Sequence, residues 1–194
     1  MEDIIASFAD EVRSGRVEIY NEFSLQHEFG IFLRTLLSDR KVQFERNVSY
    51  FGLNKDDFEK REIDIVVFDE ENPRDPEIAI ELKFPRNGQY PETMFSICKD
   101  IAFTEQLKRS CFANAYAVIF ADDHNFYDGK PEGIYGYFRD GKTLTGIITK
   151  PTGKRDTSVT ICGSYSIQWH SVTGTLRYAL VEASPSRQPN LSRF

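Results

Sequence analysis

The sequence predicts an α/β (α+β) fold, a mixed β-sheet flanked by helices and followed by a β-rich C-terminal extension. Three observations support this prediction. Amphipathic helical segments come first, apolar strand-like segments and one more helix follow, and strand patterns separated by turns fill the last third. We expect a single domain over 1–184, with its core at about 20–122, a β-rich part at about 133–184 and a flexible tail at 185–194.

The N-terminal segments follow helical spacing and then change period. Apolar residues recur at three- and four-residue intervals over 2–12 and over roughly 22–38, which predicts two amphipathic helices. Over 42–50 the apolar residues alternate instead. This part of the chain is therefore expected to form one or two strands.

The middle of the chain alternates strands with one helix. The segments 62–69 and 77–84 are predicted strands, separated by the turn-rich EENPRDP. Pro91 begins a predicted helix that runs to about Arg109, because proline is favoured in the first turn. The continuous apolar run 115–121 is typical of a strand at the buried centre of a sheet.

The last third predicts four strand segments, GIYGYFR, TLTGIITK, SVTICGSYSIQW and LRYALVEA, with Asp140-Gly141 as a hairpin turn between the first two. Residues 136–143 also match the P-loop pattern G-x-x-x-x-G-K-[ST]. A P-loop needs a strand before it and a helix starting at its Lys-Thr. Because strand patterns are expected on both sides, we interpret the match as a hairpin.

Composition and charge narrow the class of protein. No run approaches the ~18 apolar residues of a membrane-spanning helix, the N-terminus lacks a signal-peptide pattern, and the three cysteines are scattered. These features predict a cytoplasmic protein without membrane association. The net charge is −6, but residues 141–194 hold seven basic residues against two acidic ones. Their charge of +5, which leaves −11 for 1–140, indicates either a phosphate-facing patch or ordinary solvated charge.

Two charged residues interrupt the apolar strand EIAIELKF. Side chains alternate across a strand, so Glu81 and Lys83 share one face. If EIDIVVFD and EIAIELKF form a hairpin centred on Asn72-Pro73, residue i lies opposite residue 145 − i and Asp64 faces Glu81. Carboxylates so opposed repel each other. The pair therefore predicts a cation between them, and Mg²⁺ (or Mn²⁺) prefers such oxygen ligands.

The same residues have a purely structural interpretation. In it, Glu62 and Lys83 form a buried ion pair, while Asp64 and Glu81 lie at a hydrated edge of the sheet. The two interpretations differ in whether the opposed carboxylates need a metal.

An Asp on one strand and Glu-x-Lys on the next resembles the PD-(D/E)XK nuclease superfamily, which has the restriction-endonuclease-like fold. The match lies in Ile63-Asp64 and Glu81-Leu82-Lys83, with Ile63 where the family has proline, and it spans about residues 20–122. The resemblance implies a Mg²⁺-dependent endonuclease that hydrolyses phosphodiester bonds of DNA. It implies that Asp64, Glu81 and the carbonyl of Leu82 bind the metal, and that Lys83 assists the attacking water. Such hydrolysis needs a metal and a fixed cation, and neither His nor Cys.

The resemblance also implies further site residues. Proteins of this fold often use one more acid from the preceding helix, for which we predict Glu28 in preference to Glu22. Residues after the motif are candidates for contacts with phosphate or base edges. These substrate-binding candidates are Arg86, Asn87, Gln89, Lys99 and Gln106.

Partners and alternatives stay open at this point. DNA is the expected substrate, with RNA as an alternative, and either a homodimer or a partner subunit is compatible with the sequence. One rival interpretation keeps the fold without catalysis, as a nucleic-acid- or partner-binding module. Another is a nuclease subunit that is active only within a restriction or defence complex.

Overall fold

The computed structural model describes residues 1–86, 88–153 and 157–184. The predicted flexible tail at 185–194 lies outside these ranges, as do four of the seven basic residues of the C-terminal third. The helices of the described chain are α1 (Glu2–Arg13), α2 (Glu22–Leu36), α3 (Tyr90–Ser110) and α4 (Tyr135–Arg139). The strands are β1 (Lys41–Asn47), β2 (Glu62–Phe68), β3 (Ile78–Lys83), β4 (Asn114–Ala121), β5 (Leu144–Thr149), β6 (Ser158–Tyr165), β7 (His170–Thr173) and β8 (Leu176–Glu182).

A six-stranded mixed sheet organises the chain, in the order β1-β2-β3-β4-β8-β7. Strands β3 and β4 are parallel, and every other neighbouring pair in this sheet is antiparallel. Strands β5 and β6 form a separate two-stranded sheet. The predicted α/β (α+β) class, with a mixed sheet between helices and a β-rich C-terminal part, is confirmed. The C-terminal strands are shared between the two sheets: β7 and β8 extend the main sheet beside β4, whereas β5 and β6 form the small sheet.

Helices α1 and α2 cover one face of the sheet. Phe8 of α1 and Phe29 of α2 are fully buried, with ring centroids 4.9 Å apart, and they pack in one cluster with Ile80 and Leu82 of β3. A capping box at Asn21 fixes the start of α2. The apolar face of β3 is therefore core, as its alternation predicts.

Helix α3 covers the opposite face and carries the small sheet on its outer side. Its residues Ile97 and Ile101 pack in one cluster with Ala117 of β4 and Ile161 of β6. The buried carboxylate of Glu105 joins the two layers. It accepts hydrogen bonds from the amides of Cys162 and Gly163 and from the hydroxyl of Tyr165. No helix of the described chain is both long enough and apolar enough to cross a membrane.

The prediction of a strand at GIYGYFR was wrong. Tyr135–Arg139 is the helix α4, and the expected Asp140-Gly141 hairpin is absent from the described chain. The buried residues Ile134 and Phe138 are four apart, so their spacing satisfies the helical period as well as strand alternation. The carbonyl of Gly136 accepts hydrogen bonds from the amides of Asp140 and Lys142, which closes the end of this short helix.

The strand predicted from alternation over 42–50 ends earlier than expected. Strand β1 stops at Asn47, and Val48–Phe51 forms a 3₁₀ turn. The side chain of Asn47 accepts a hydrogen bond from the amide of Ser49, so local capping overrides the alternation.

Candidate functional site

The predicted register of β2 and β3 is confirmed. Ile65 pairs with Ile80, and in this pair and the next two the residue numbers sum to 145, as predicted. Next to this pair, the side chains of Asp64 and Glu81 each accept a hydrogen bond from a backbone amide of the other strand. The amide of Leu82 donates to Asp64 Oδ2 at 2.7 Å, and the amide of Asp64 donates to Glu81 Oε1 at 3.3 Å. The two carboxylates are thus held side by side.

Both carboxylates are largely removed from water. The side chain of Glu81 is 0% exposed and that of Asp64 is 16% exposed. Burial raises the pKa of Asp64 to about 6, although the Lys60 ammonium acts to lower it. Burial also raises the pKa of Glu81 well above its ordinary value, and the charge of Asp64 adds to the rise. Burial therefore disfavours the charged form of both carboxylates.

Lys60, which the sequence analysis did not single out, lies among the acids. Its Nζ forms an ion pair with Glu81 Oε2 and is 3.2 Å from Asp100 Oδ1 and 3.9 Å from Asp64 Oδ1. Burial disfavours its charge, but these acids together raise the pKa of Lys60 above its ordinary value. The loop that carries Lys60 is tied to α3 through the amide of Glu59, which donates to Gln106 Oε1 at 2.9 Å.

Asp100 of α3 is the second residue that the sequence analysis missed. It is only 4% exposed and lies between Lys60 and Lys83, with its Oδ2 3.4 Å from Lys83 Nζ. Among the described residues Oδ2 has no hydrogen-bond partner. A signal was present in the sequence. Asp100 falls on the buried stripe of its helix, between Ile97 and Thr104, where an acidic side chain is rare unless it is paired.

The structure places Glu22, and not the preferred Glu28, beside the site. Glu22 Oε1 is 3.2 Å from Lys83 Nζ, and Glu22 Oε2 accepts a hydrogen bond from the amide of Phe84 at 3.1 Å. The contact described for Glu28 is with His27 on the surface. The structure brings Glu22 to Lys83 in place of Glu28 for a geometric reason. Gln26, whose side chain donates a hydrogen bond to the carbonyl of Asp64, is four residues from Glu22 and lies on the same face of α2. Glu28 lies about 200° around the helix from Gln26.

Lys83 extends from the same strand face as Glu81, as predicted. It forms ion pairs with Glu22 and Asp100, so the alternative Glu62–Lys83 pair is not what the structure contains. Burial acts to lower the pKa of Lys83, but Asp100 and Glu22 together raise it. The ammonium is therefore charged and held in place by two acids from different helices.

The substrate-binding candidates are dispersed. Arg86 is half exposed, with Nη2 3.9 Å from Asp122 Oδ2, and Gln89 is an exposed residue just before α3. Gln106 supports the Lys60 loop instead of entering the site. Lys99 has no hydrogen bond or ion pair among the described residues, and Asn87 lies outside them. The substrate roles of all five stay predictions.

Two adjoining clefts open on Asp64. The larger, of about 820 Å³, is lined by five acidic and three basic side chains, among them Lys60. The smaller, of about 270 Å³, is lined by Phe23, Leu82 and four polar residues. Glu45 borders both clefts. It lies between residues of β1 paired with Ile65 and Ile63, which puts it opposite Asp64.

The backbone of Glu45 is in an uncommon conformation. Its φ is 50°, a left-handed value that non-glycine residues rarely adopt. Gln26 Nε2 donates to Glu45 Oε1 at 2.6 Å and to the carbonyl of Asp64 at 2.9 Å. The acid is thereby directed toward α2 and the clefts, and strained residues of this kind cluster at functional sites.

The donor set suits a hard divalent cation. Asp64, Glu81 and Asp100 offer carboxylate oxygens, and Oδ2 of Asp100, which lies 3.4 Å from Lys83 Nζ, accepts no hydrogen bond within the described residues. Mg²⁺ typically uses one or two carboxylates and keeps several waters. The described residues contain no preformed cage of three or more metal-binding side chains, and the Lys60 ammonium lies where a cation would be shared. The chemistry of the site fits Mg²⁺ or Mn²⁺ provided that Lys60 moves aside.

Comparison of the chain with protein-family models, with curated proteins and with solved structures found no match.

Proposed function

We propose that the chain is a metal-dependent nuclease of the PD-(D/E)XK type that hydrolyses phosphodiester bonds of DNA. The observation that carries the proposal is the registered set of Asp64, Glu81 and Lys83 on one face of two adjacent strands. Four carboxylates and two ammonium groups meet there, an excess of two negative charges when all are ionised. A divalent cation removes that excess, so the site favours metal binding on electrostatic grounds.

Each residue has a chemical task in this proposal. Asp64 and Glu81 hold Mg²⁺ or Mn²⁺, and the carbonyl of Leu82 is a further ligand suggested by the family resemblance. When bound, the metal polarises a phosphoryl oxygen and lowers the pKa of water. Lys83 orients the attacking water and faces the negative charge that grows on the phosphate. Glu22 and Asp100 act as positioning residues, because they hold the Lys83 ammonium from two sides.

Cleavage assays test the proposal. Supercoiled plasmid and end-labelled single-stranded DNA are incubated with Mg²⁺, with Mn²⁺ or with chelator. Glu81→Gln and Lys83→Met are expected to lose activity by on the order of 10²-fold or more. Glu28→Gln is the matched control, because this acid is on α2 but faces away from the site. Cutting that persists in chelator, or in Glu81→Gln, contradicts the proposal.

One observation favours a different role. Lys60 already forms an ion pair with Glu81 and lies within 3.2 Å of Asp100, so the network is a closed structural element without metal. The second candidate is therefore a non-catalytic nucleic-acid- or partner-binding module on the same fold. Calorimetric titration with Mn²⁺ separates the two. Binding that disappears in Glu81→Gln supports the nuclease, and the absence of binding to wild type supports the module.

A subunit that cuts only within a larger complex gives a third pattern. It binds Mn²⁺ through Glu81 but cuts neither DNA substrate alone. Partner-dependent cutting in an extract, lost in Glu81→Gln, identifies this case.

A further inference from the structure

An aromatic side chain stands exposed at the start of α2. Phe23 is 75% exposed, whereas Leu25, Phe29 and Leu33 of the same helix are fully buried. Tyr20, three residues earlier, is 57% exposed. A phenylalanine left in water forgoes the favourable free energy of burial. Phe23 therefore takes no part in the core that α2 makes with the sheet.

Phe23 borders the candidate site. It lines the smaller cleft together with Asp64, Leu82 and Gln26. Its neighbour Glu22 binds both the Lys83 ammonium and the Phe84 amide at the end of β3. A group bound at Asp64 therefore has an aromatic side chain along the wall of the same cleft.

The backbone around Phe23 is held in place. The side chain of Asn21 accepts a hydrogen bond from the amide of Ser24 at 2.7 Å, and the Ser24 hydroxyl accepts from the amides of Tyr20 and Asn21. Together with the anchored Glu22, these bonds fix the backbone on either side of the ring. A ring presented on such a backbone loses little conformational entropy when a flat partner stacks on it.

The charge of the clefts argues against affinity from phosphate contacts alone. The larger cleft carries five acidic side chains against three basic ones. Binding of duplex DNA draws most of its affinity from cations that neutralise phosphates. Proteins that bind unpaired strands also use basic grooves, but they gain a further contribution of about 1–3 kcal/mol for each base stacked on an aromatic ring. Stacking is the contribution that Phe23 offers beside Asp64.

We propose that Phe23 is a stacking subsite for an unpaired nucleobase beside the phosphodiester at Asp64 and Glu81. The substrate class is then single-stranded nucleic acid, or a frayed or flapped end, and intact duplex is a poor ligand. This inference rests on the proposed nuclease function, which it makes more specific.

Binding measurements test the subsite independently of cleavage. Fluorescence anisotropy is recorded with a labelled phosphorothioate oligonucleotide, which resists hydrolysis, and with a duplex of equal length, in Mg²⁺. Phe23→Ala is expected to weaken single-strand binding by about 5- to 150-fold. Phe23→Trp is expected to retain it. Ile147→Ala is the matched control, because Ile147 is 72% exposed but lies on β5 of the small sheet.

A double-mutant cycle identifies the stacked base. Abasic nucleotides are placed at successive positions of the oligonucleotide, and one position is expected to lose affinity with wild type but not with Phe23→Ala. Equal affinities of Phe23→Ala and Ile147→Ala for the single strand overturn the subsite. The subsite is also overturned if Phe23→Ala loses as much affinity for duplex as for the single strand, or if wild type binds no nucleic acid. A change in sedimentation on replacing Phe23 overturns it as well, because it marks Phe23 as a contact between two copies.

The two proposals fail separately. Metal-dependent cutting that is lost in Glu81→Gln but unchanged in Phe23→Ala removes the subsite and leaves the nuclease. Phe23-dependent binding of single strands, without cutting and without Mn²⁺ binding through Glu81, leaves the subsite and removes the nuclease.

Discussion

Replacing Asp64 with asparagine should stabilise the metal-free protein above pH 7. The pKa of Asp64 is raised from its ordinary 3.8 to about 6, chiefly by burial. The folded state therefore holds the proton more tightly than the unfolded state, and stability falls as the pH rises from about 4 to about 6. A difference of about 2 pKa units corresponds to about 3 kcal/mol of stability lost above pH 6. Asparagine cannot ionise and escapes this loss.

The expected gain is smaller than the full loss. Asparagine still accepts the hydrogen bond from the Leu82 amide, but Lys60 loses one of the three carboxylates near it. Because Glu81 and Asp100 remain close to Lys60, we expect a net gain of about 1–2 kcal/mol at pH 8 and almost none at pH 4.

Urea unfolding in chelator, followed by the fluorescence of Trp169 at each pH from 4 to 8, measures this difference. Asp57→Asn is the control, because Asp57 is exposed, and no side-chain hydrogen bond or ion pair of Asp57 occurs within the described ranges. A variant that is less stable than wild type at pH 8, or a difference independent of pH, refutes the reasoning. Adding Mg²⁺ should raise the midpoint of wild type and leave that of Asp64→Asn unchanged, since only wild type keeps the carboxylate pair.

Three further changes test the packing around the site. Lys60→Met should cost about 3–5 kcal/mol in chelator, because it leaves the buried Glu81 without its ion-pair partner, and should recover part of it in Mg²⁺; a loss no larger than that of Lys99→Met contradicts this. Glu105→Ala should lower the free energy of unfolding by at least about 2 kcal/mol and speed amide exchange in β6, since it removes the acceptor of three hydrogen bonds. Unchanged amide exchange would contradict the role of Glu105 in connecting α3 to the small sheet. Gly30→Ala should cost about 1–3 kcal/mol, because the added Cβ would overlap the ring of Phe44, and a thermal midpoint equal to wild type rejects the overlap.

The sequence by itself determined the strands of the site and their register. Two segments with period-two apolar faces and a turn between them can pair in one way that keeps both faces in the core, and Ile65 and Ile80 pair accordingly. Since Asp64 and Glu81 are neighbours of that pair, their opposition followed from local pattern. The helix begun by Pro91 and the central strand β4 were equally readable, because each has a long and unambiguous pattern.

The first feature that the sequence could not resolve was a segment whose apolar spacing fits two kinds of secondary structure. Ile134 and Phe138 satisfy strand and helix spacing alike, and the choice of a helix depends on how the segment packs against α3. The strand predicted there was lost for this reason, and no local signal distinguished the two outcomes.

Only the tertiary structure decided which charges surround the carboxylate pair. Lys60 belongs to a loop, Asp100 to α3 and Glu22 to the first turn of α2. The direction of a helix side chain is set by how the helix rotates onto the sheet, and that rotation is settled by the buried stripe as a whole. Spacing along the chain places an acid on a helix, but packing against distant elements decides whether it meets Lys83 or water.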